Sequence, residues 1–282
     1  TMTHWKEILQ NSVNSPAELA HHFDFDCKLL EATNASFPMR INPYYLSLIK
    51  SVNDPLWKQA VPHPLELKDS ICVRDPLAEE DLSPVPNLVH KYPDRVLFLV
   101  ASECAMYCRF CTRKRKVGTP KMCITDDSIE AGIEYIRNNS EIREVLISGG
   151  DPLMLSDTKL DALLTRIRTV PTVEVIRIGT RIPCTLPMRV TPAFAAMLKK
   201  HHPLYINTHF NHPRELTLQA AEACSLLANA GIPLGCQTVL LKGVNDDPAT
   251  LKELFLGLLR MRVKPYYLFQ GNLTQGTNDF RT

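Results

Sequence analysis

The sequence predicts an α/β protein, a partial six-unit (β/α) barrel with an N-terminal helical extension. The first observation is a set of six apolar runs of strand length, at 96–101, 144–148, 173–178, 203–207, 234–240 and 264–269. The second is that helical patterns separate them, near 126–138, 157–168, 191–200, 214–230 and 248–260. Strands that are apolar on both faces and alternate with helices form parallel βαβ units. Six such units form a barrel that is incomplete compared with the eight-unit form. A doubly wound open sheet is the alternative.

The N-terminal third has a different texture. Eight prolines between residues 38 and 86 exclude long regular elements there. The pattern predicts short helices and then an extended wrapping segment, at 5–10, 16–23, 44–51 and 62–92. We therefore divide the chain into an N-terminal helical and wrapping region, 1–92, and a barrel core, 93–282.

The composition excludes several classes of protein. Apolar residues at 45% and charged residues at 22% are typical of a globular protein with a large core. A net charge of +2 does not indicate a polyanionic partner. No apolar run approaches the roughly 18 residues of a membrane span, and the N-terminus lacks the apolar core of a signal peptide. We expect a cytoplasmic protein.

Three of the nine cysteines form a motif directly after the first predicted strand. Cys104, Cys108 and Cys111 have the spacing C-x3-C-x2-C, whereas the other six are scattered singly. Three thiolates can bind three irons of a [4Fe–4S] cluster and leave the fourth iron open to the amino and carboxylate groups of S-adenosylmethionine (SAM). Electron transfer into the sulfonium then releases a deoxyadenosyl radical. A zinc site would need a fourth ligand, and no second C-x2-C pair exists. The motif predicts a radical SAM barrel.

Glycines and polar residues follow the next strands. Ser148, Gly149, Gly150 and Asp151 end the second strand, where bare backbone carbonyls can receive the amine of SAM. A plain Gly-Gly turn is the simpler interpretation. Arg181, after the third strand, is either a carboxylate clamp or part of a surface salt bridge.

The fourth and fifth strands carry further polar groups. The fourth strand ends in His209, Asn211 and His212, which we expect to contact SAM or substrate rather than a second metal. Gln237 lies inside the apolar fifth strand, where a buried amide needs partners, and a ligand contact in the barrel interior is plausible.

A basic run, Arg113–Lys116, follows the cysteines. It is compatible with a nucleic-acid patch, a solvated face, or an arginine that reaches into the site to hold a substrate carboxylate. We favour the third interpretation, for Arg113 only, and we do not expect nucleic acid as a partner.

Longer stretches resemble the lysine 2,3-aminomutase family of radical SAM, pyridoxal-phosphate-dependent enzymes. They are DRVLFL, CAMYCRFCTRKR, SGGDPL, VIRIGTRIP, INTHFNHP, LLANAGIPLG, VLLKGVND, VKPYYL and DFRT. They are spread from about Lys91 to the end of the sequence, and the first 90 residues match more loosely, as the helical lead-in of the family.

The resemblance implies a chemistry and a set of site residues. A deoxyadenosyl radical takes a β-hydrogen from an amino acid bound as an imine to pyridoxal phosphate (PLP), and the nitrogen migrates from C2 to C3. The three cysteines would bind the cluster, and 148–151 would bind the SAM amine. Arg181 and Gln237 would line the SAM pocket, Arg113 would hold the substrate carboxylate, and Arg95 would contact PLP. The resemblance also implies a flavodoxin or ferredoxin as reductant and a homo-oligomer.

Two departures from the family pattern stand out. Asn272 occupies the position where the lysine enzymes have an Asp that pairs with the distal ammonium of the substrate. Substrates other than lysine, such as glutamate, arginine or a modified lysine, are therefore open. The family's PLP-binding lysine lies in a Gly-rich segment beyond the FRT motif, and no lysine here, including Lys242, has such a context. We expect a missing C-terminal tail, the alternative being a short member that does not use PLP in the family way.

These features favour an aminomutase that shifts an α-amino group to the β-carbon of lysine or a related amino acid. One alternative is PLP-independent hydrogen abstraction on the same barrel. The other is a non-catalytic iron–sulfur or RNA-binding protein, which would depend on the basic run. No catalytic residue can be named with certainty, because no PLP lysine is identified.

Overall fold

Six parallel strands and one antiparallel strand form a single sheet in the computed structural model, which describes residues 4–282. The strands are β1 (Leu88–Tyr92), β2 (Arg95–Ala101), β3 (Glu144–Gly149), β4 (Val175–Gly179), β5 (Leu204–Thr208), β6 (Leu234–Leu240) and β7 (Lys264–Gln270). They lie side by side in chain order, with β1 antiparallel to β2 and all later pairs parallel. The predicted (β/α) barrel of six parallel strands is confirmed. The added strand, β1, lies inside the segment expected to be extended and wrapping.

One group of helices precedes the sheet in the chain, and a second group connects its strands and covers its outer face. They are α1 (His4–Gln10), α2 (Pro16–Leu19), α3 (Lys28–Ser36), α4 (Pro43–Leu48), α5 (Pro55–Ala60), α6 (Asp126–Asn138), α7 (Asp157–Arg168), α8 (Ile182–Thr185), α9 (Pro192–Lys199), α10 (Leu218–Asn229) and α11 (Pro248–Arg260). All five helices predicted between the strands are present, whereas α3, α5 and α8 were not predicted. Among residues 4–282, no helix is both long and apolar enough to cross a membrane.

Short polar residues set where the barrel helices begin. Each accepts a hydrogen bond from a backbone N–H of the first turn and so satisfies a donor that has no partner within the helix. They are Thr125, Ser156, Thr191, Thr217 and Asp247. These caps fix the strand-to-helix connections, and therefore the positions of the loops at the carboxyl ends of the strands.

The two faces of the sheet differ in burial. Val145 and Ile147 of β3, like Ile176 and Ile178 of β4, are fully buried beneath the helices. The alternate residues point into the barrel lumen, because successive side chains of a strand point to opposite faces. Strand register places polar residues on this lumen face, namely Arg95, Glu144, Ser148, Arg177, Asn207 and Gln237. The lumen face therefore carries several polar and charged side chains, whereas the main core lies between the sheet and the helices.

The N-terminal region packs on the carboxyl end of the barrel. Its helices share one continuous hydrophobic core with the strands. The Asn42 side chain donates hydrogen bonds to the carbonyls of Ala105 (3.1 Å) and Thr185 (2.8 Å), joining the loops after β2 and β4. The division at residues 92 and 93 stays a prediction, and residues 1–3 of the first region lie outside the described part of the chain.

A buried ion triad ties the wrapping segment to the loop after β2. The Glu66 carboxylate pairs with Arg109 (2.5 Å) and Lys114 (2.7 Å), and all three side chains are at most 4% exposed. Burial acts to raise the pKa of Glu66, but the two cations outweigh it and hold that pKa below its ordinary value. One carboxylate is shared by two cations, and burial together with the charge of Arg109 lowers the pKa of Lys114 to about 7.

We expect Glu66→Gln to destabilise the fold by about 3–5 kcal/mol, because it leaves two buried cations without their carboxylate. Urea unfolding, followed by circular dichroism, measures the free energy of unfolding. The matched control is Glu174→Gln, since Glu174 is 68% exposed and lies 3.9 Å from Arg143. An exposed pair contributes about 0–1 kcal/mol. Equal effects of the two substitutions would contradict the role assigned to the triad.

Candidate active site

The loop after β2 carries the three clustered cysteines. All nine cysteines of the chain are free thiols, and Cys104, Cys108 and Cys111 are partly buried. The backbone N–H of Arg113 donates to the Cys111 sulfur (3.3 Å), and the Arg181 guanidinium donates to the Cys108 sulfur (2.9 Å). N–H groups directed at cysteine sulfur are typical of iron–sulfur sites.

The thiols lie close enough to influence one another electrostatically. Burial raises the pKa of Cys111 to about 11, and the neighbouring Cys108 adds to that shift. Burial likewise raises the pKa of Cys104, with contributions from Asp151, Cys111 and Cys108. A group bound by these sulfurs must displace their protons, since the thiolate is the metal ligand.

The donors on this loop are those that an iron–sulfur cluster takes. Within residues 4–282, no three His, Cys, Asp or Glu side chains converge as a metal-ion site. A cube with an iron at each bound corner does not need its three cysteine sulfurs to meet at one point. Three half-buried thiols on one loop, two of them accepting N–H bonds, therefore fit a [4Fe–4S] cluster with one iron free of protein ligands.

Arg181 organises a buried polar network beside the cysteines. Its second terminal nitrogen donates to the side-chain oxygens of Gln59 (2.6 Å) and Glu215 (2.8 Å). The Glu215 carboxylate is fully buried and also accepts from Tyr45 Oη (2.8 Å) and from the backbone N–H of Asn211 (2.7 Å). Of the two alternatives for Arg181, the surface salt bridge is wrong, because this cation is 8% exposed.

The glycines after β3 are required by the chain's own backbone. A Cβ at Gly149 would overlap the carbonyl oxygen of Ala101, and one at Gly150 would overlap that of Glu103. The N–H groups of Gly150 and Asp151 donate to the same two carbonyls (2.6 and 2.7 Å). The loop that we expect to bind the SAM amine is thus locked against the loop that carries the cysteines.

Asp151 holds the next loop in place. Its carboxylate accepts from the Thr180 hydroxyl (2.7 Å) and from the backbone N–H of Arg181 (2.8 Å). Burial raises its pKa, although these hydrogen bonds oppose the shift. The carboxylate therefore positions Arg181, whereas a direct bond from Asp151 to SAM stays a prediction.

We expect Gly149→Ala to destabilise the protein, because φ is +136° there and strain of this kind alone costs ~1–3 kcal/mol. Gly179→Ala is the matched control. A Cβ at Gly179 would come no closer than 3.8 Å, to Ser148 Oγ, so its effect should stay within ~0.5 kcal/mol. The midpoints of chemical unfolding of the two variants test this difference in stability. A Gly149→Ala protein as stable as Gly179→Ala would refute the explanation.

The basic run after the cysteines is internally neutralised. The Arg113 guanidinium makes a two-point pair with Glu79 (2.7 and 3.1 Å), and Arg115 pairs with Asp75 (3.0 Å). The side chains of the four cations are only 4–14% exposed. The solvated-face interpretation is wrong, and the charges are not free for RNA. Arg113 also donates to Ser148 Oγ and to the carbonyl of Gly149 (both 3.3 Å), so it lies at the predicted SAM segment.

The polar residues after β5 lie next to the Arg181 network. The ring of His209 packs against Phe110 (centroids 5.4 Å apart) and bonds Asn211 Oδ1 (3.1 Å). Burial, assisted by Arg181, lowers the pKa of His209 to about 3, so the ring is neutral at physiological pH. His212 caps the following turn. His209 and Asn211 are thus brought to the site, whereas His212 has a structural role.

Three predicted residues lie apart from this cluster. Gln237 is half-buried on the lumen face of β6, and its side chain has no hydrogen-bond partner among residues 4–282. Arg95 is also on the lumen face, but at the start of β2, the opposite end from the cysteines, where it pairs with Asp94 (3.1 Å). Asn272 is exposed just beyond β7. Their roles stay predictions.

Sequence reasoning missed three residues that shape the site and one charged residue elsewhere in the barrel lumen. Gln59 and Glu215 hold Arg181, and Glu79 holds Arg113. Arg177, in the lumen, pairs with Glu144 (2.9 Å) and lies over the Tyr205 ring. Arg177 could have been found, since a charged residue in a strand apolar on both faces is unusual. Glu79, Glu215 and Gln59 have no comparable pattern in the sequence around them.

The sequence matches a protein-family model and several enzymes of known activity. The family model of the radical SAM superfamily matches residues 99–254. L-lysine 2,3-aminomutase from Acetoanaerobium sticklandii is 48% identical over 99% of this chain and 69% of its own length. The corresponding enzyme from Clostridium subterminale is 46% identical over 99% of this chain and 68% of its own length.

The chain belongs to the lysine 2,3-aminomutase family of radical SAM enzymes. A further relative is glutamate 2,3-aminomutase from Clostridioides difficile, 46% identical over 90% of this chain and 60% of its own length. Among solved structures, the radical SAM enzyme coproporphyrinogen III oxidase from Escherichia coli gives a TM-score of 0.41 at 16% identity, covering 59% of this chain and 43% of that one. That likeness is too weak to add to the assignment.

Membership has direct consequences for this radical SAM aminomutase. It is an isomerase of the aminomutase type, and the family implies a [4Fe–4S] cluster, SAM and PLP as cofactors. The cluster agrees with the donor set of the β2 loop, which is inside the matched range 99–254. The predicted family and reaction type are confirmed.

Proposed function

We propose that this aminomutase moves the α-amino group of lysine, or of a related free amino acid, to the β-carbon. The observation that carries the proposal is the meeting of three loops at the carboxyl end of the barrel. The cysteine loop, the Gly149–Asp151 loop and the Arg181 loop are joined by hydrogen bonds of 2.6–2.9 Å. Groups that must cooperate in one reaction are thereby fixed on rigid elements.

Each loop has a distinct task in this proposal. Cys104, Cys108 and Cys111 hold the cluster, and the backbone of the Gly149–Asp151 loop receives the amine of SAM. Reduced cluster and SAM together supply a deoxyadenosyl radical that removes hydrogen from the substrate. The chain's own contribution is to orient these groups and to exclude water, since the network around Arg181 is closed off from solvent.

Arg113 is the group we assign to the substrate carboxylate. Its guanidinium already lies beside Ser148 and Gly149, and a planar fork of N–H donors matches a carboxylate. Glu79 occupies two of these donors, so an incoming carboxylate must share Arg113 with Glu79 or displace it. Glu79 therefore orients the Arg113 guanidinium, and the substrate carboxylate competes with Glu79 for the N–H donors of that guanidinium.

Asn272 is the residue we assign to recognition of the distal end of the substrate. Its side chain is exposed beyond β7, with no hydrogen-bond partner within the described range 4–282. A neutral amide can donate and accept hydrogen bonds, but it gives no ion pair to an ammonium group. A substrate whose distal group is neutral, or is charged and paired elsewhere, suits it better than free lysine.

We expect Asn272→Asp to raise kcat/KM for lysine relative to the other amino acids of a test panel at least about tenfold, the equivalent of ~1.4 kcal/mol. The control is Asn278→Asp, which adds the same charge in the same segment. Product analysis with an amino acid panel gives both ratios. An equal change in the two variants would show that Asn272 does not face the substrate.

The proposed reaction also needs an electron donor. A flavodoxin or ferredoxin is the proposed reductant, since the cluster must receive one electron for each radical formed. Nine free thiols suit a reducing compartment, and we place the protein in the cytoplasm. A homo-oligomer is proposed from the family alone.

The decisive experiment is anaerobic reconstitution with iron and sulfide, followed by dithionite, SAM, PLP and a panel of amino acids. Chromatography detects 5′-deoxyadenosine and β-amino acids. A β-isomer from one amino acid supports the proposal and identifies the substrate. Deoxyadenosine without any β-isomer would favour the PLP-independent alternative, and the absence of both from folded protein would refute the proposal.

A further inference from the structure

We propose that Arg181 tunes the reduction potential of the cluster through its hydrogen bond to the Cys108 sulfur, and that Glu215 and Gln59 are the positioning residues for this bond. The inference rests on the proposed cluster at Cys104, Cys108 and Cys111. It assigns to Arg181 an electronic task in addition to the predicted lining of the SAM pocket.

The first step is the contact itself. Arg181 Nη1 lies 2.9 Å from Cys108 Sγ, and the arginine is 8% exposed. Reduction adds negative charge to a cluster and its cysteine sulfurs. A cationic N–H donor on one sulfur stabilises that charge, and so raises the potential. Because the arginine itself is buried, its charge is less screened by water and salt than that of an exposed cation.

The second step is how the contact is held. Arg181 Nη2 is fixed by Gln59 Oε1 (2.6 Å) and Glu215 Oε1 (2.8 Å), on the side away from the sulfur. The guanidinium also lies over the rings of Phe110 (5.1 Å) and Tyr45 (5.8 Å). These contacts hold the guanidinium while Nη1 donates to Cys108.

The third step is the charge balance of Glu215. Its carboxylate accepts from Tyr45 and from the backbone N–H groups of Asn211 (2.7 Å) and His212 (3.1 Å), in addition to Arg181. Four donors share one negative charge, so that charge is not concentrated on Arg181. The guanidinium keeps positive character toward the sulfur, which is the condition for tuning.

Two substitutions separate the hydrogen bond from the charge. Arg181→Gln removes the cation and its fork, whereas Arg181→Lys keeps a positive charge for Glu215 but cannot span Glu215 and Cys108 with a fixed fork. The matched control is Arg189→Gln. Arg189 is also buried and also pairs with a carboxylate, that of Asp157 (2.8 Å), but its remaining donors bond the carbonyls of Leu153 (2.7 Å) and Leu155 (2.9 Å) instead of a sulfur.

The measurement is a potentiometric titration of the reconstituted cluster, followed by electron paramagnetic resonance (EPR), with iron and sulfide counted for each protein. Arg181→Gln should shift the ratio of reduced to oxidised cluster at least tenfold toward the oxidised form, ~59 mV for one electron. Arg181→Lys should shift it in the same direction by less, and Arg189→Gln should match the wild type.

The outcomes are distinct. A fully loaded Arg181→Gln protein that titrates at the wild-type potential overturns the inference and leaves the proposed function intact. Where Arg181→Gln loads no cluster, a loaded Arg181→Lys protein at the wild-type potential overturns it equally. A wild-type chain that binds no cluster overturns the proposed function, and this inference with it.

Discussion

The ion pairs between the wrapping segment and the cysteine loop are the interaction on which the rest of the site depends. The loop after β2 carries Arg109, Arg113, Lys114, Arg115 and Lys116 beside three thiols that must become thiolates. Carboxylates from Asp75, Glu66, Glu79 and Glu80 meet these cations from the other side. Without these carboxylates the loop would hold several partly desolvated cations, and it would not pack on the barrel.

This charge arrangement links folding to function. The loop that carries the cysteines is held by the N-terminal region, and the two following loops are locked to it through Gly150, Asp151 and Arg181. A change in the wrapping segment therefore reaches the cysteines through two or three contacts. Buried ion pairs contribute little net stability, but they specify one geometry here because each partner loses much when the other is absent.

Much of the fold could be predicted from the sequence because its signals are local. Runs such as 96–101 are apolar on both faces, and helix patterns separate the successive runs, so the six parallel strands were found to within two residues. Strand β1 was missed because LVHKY is short and half polar. Helix α5 was missed because its pattern, PLWKQA, is a single turn and a half among prolines.

The site could be predicted only in part. The cysteines and the Gly149–Gly150 pair stand out because their chemistry depends on spacing along the chain. Gln59 was not predictable, since it lies 122 positions from Arg181 and an amide in a short helix has no special pattern. The ion pairs of the basic run were not predictable, because their carboxylate partners come from a distant segment with little regular structure. Pairings of this kind are decided by tertiary packing.

The central claim is that three cysteines hold a [4Fe–4S] cluster whose fourth iron is open to SAM. EPR of the reduced, reconstituted protein, recorded before and after addition of SAM, tests it most directly when the Cys108→Ser variant is measured alongside. We predict about four irons per chain in the wild type, the number in one such cluster. SAM should change the cluster signal, and the Cys108→Ser variant should lose most of it. A wild-type signal that SAM leaves unchanged, or that persists in full in Cys108→Ser, would contradict this assignment.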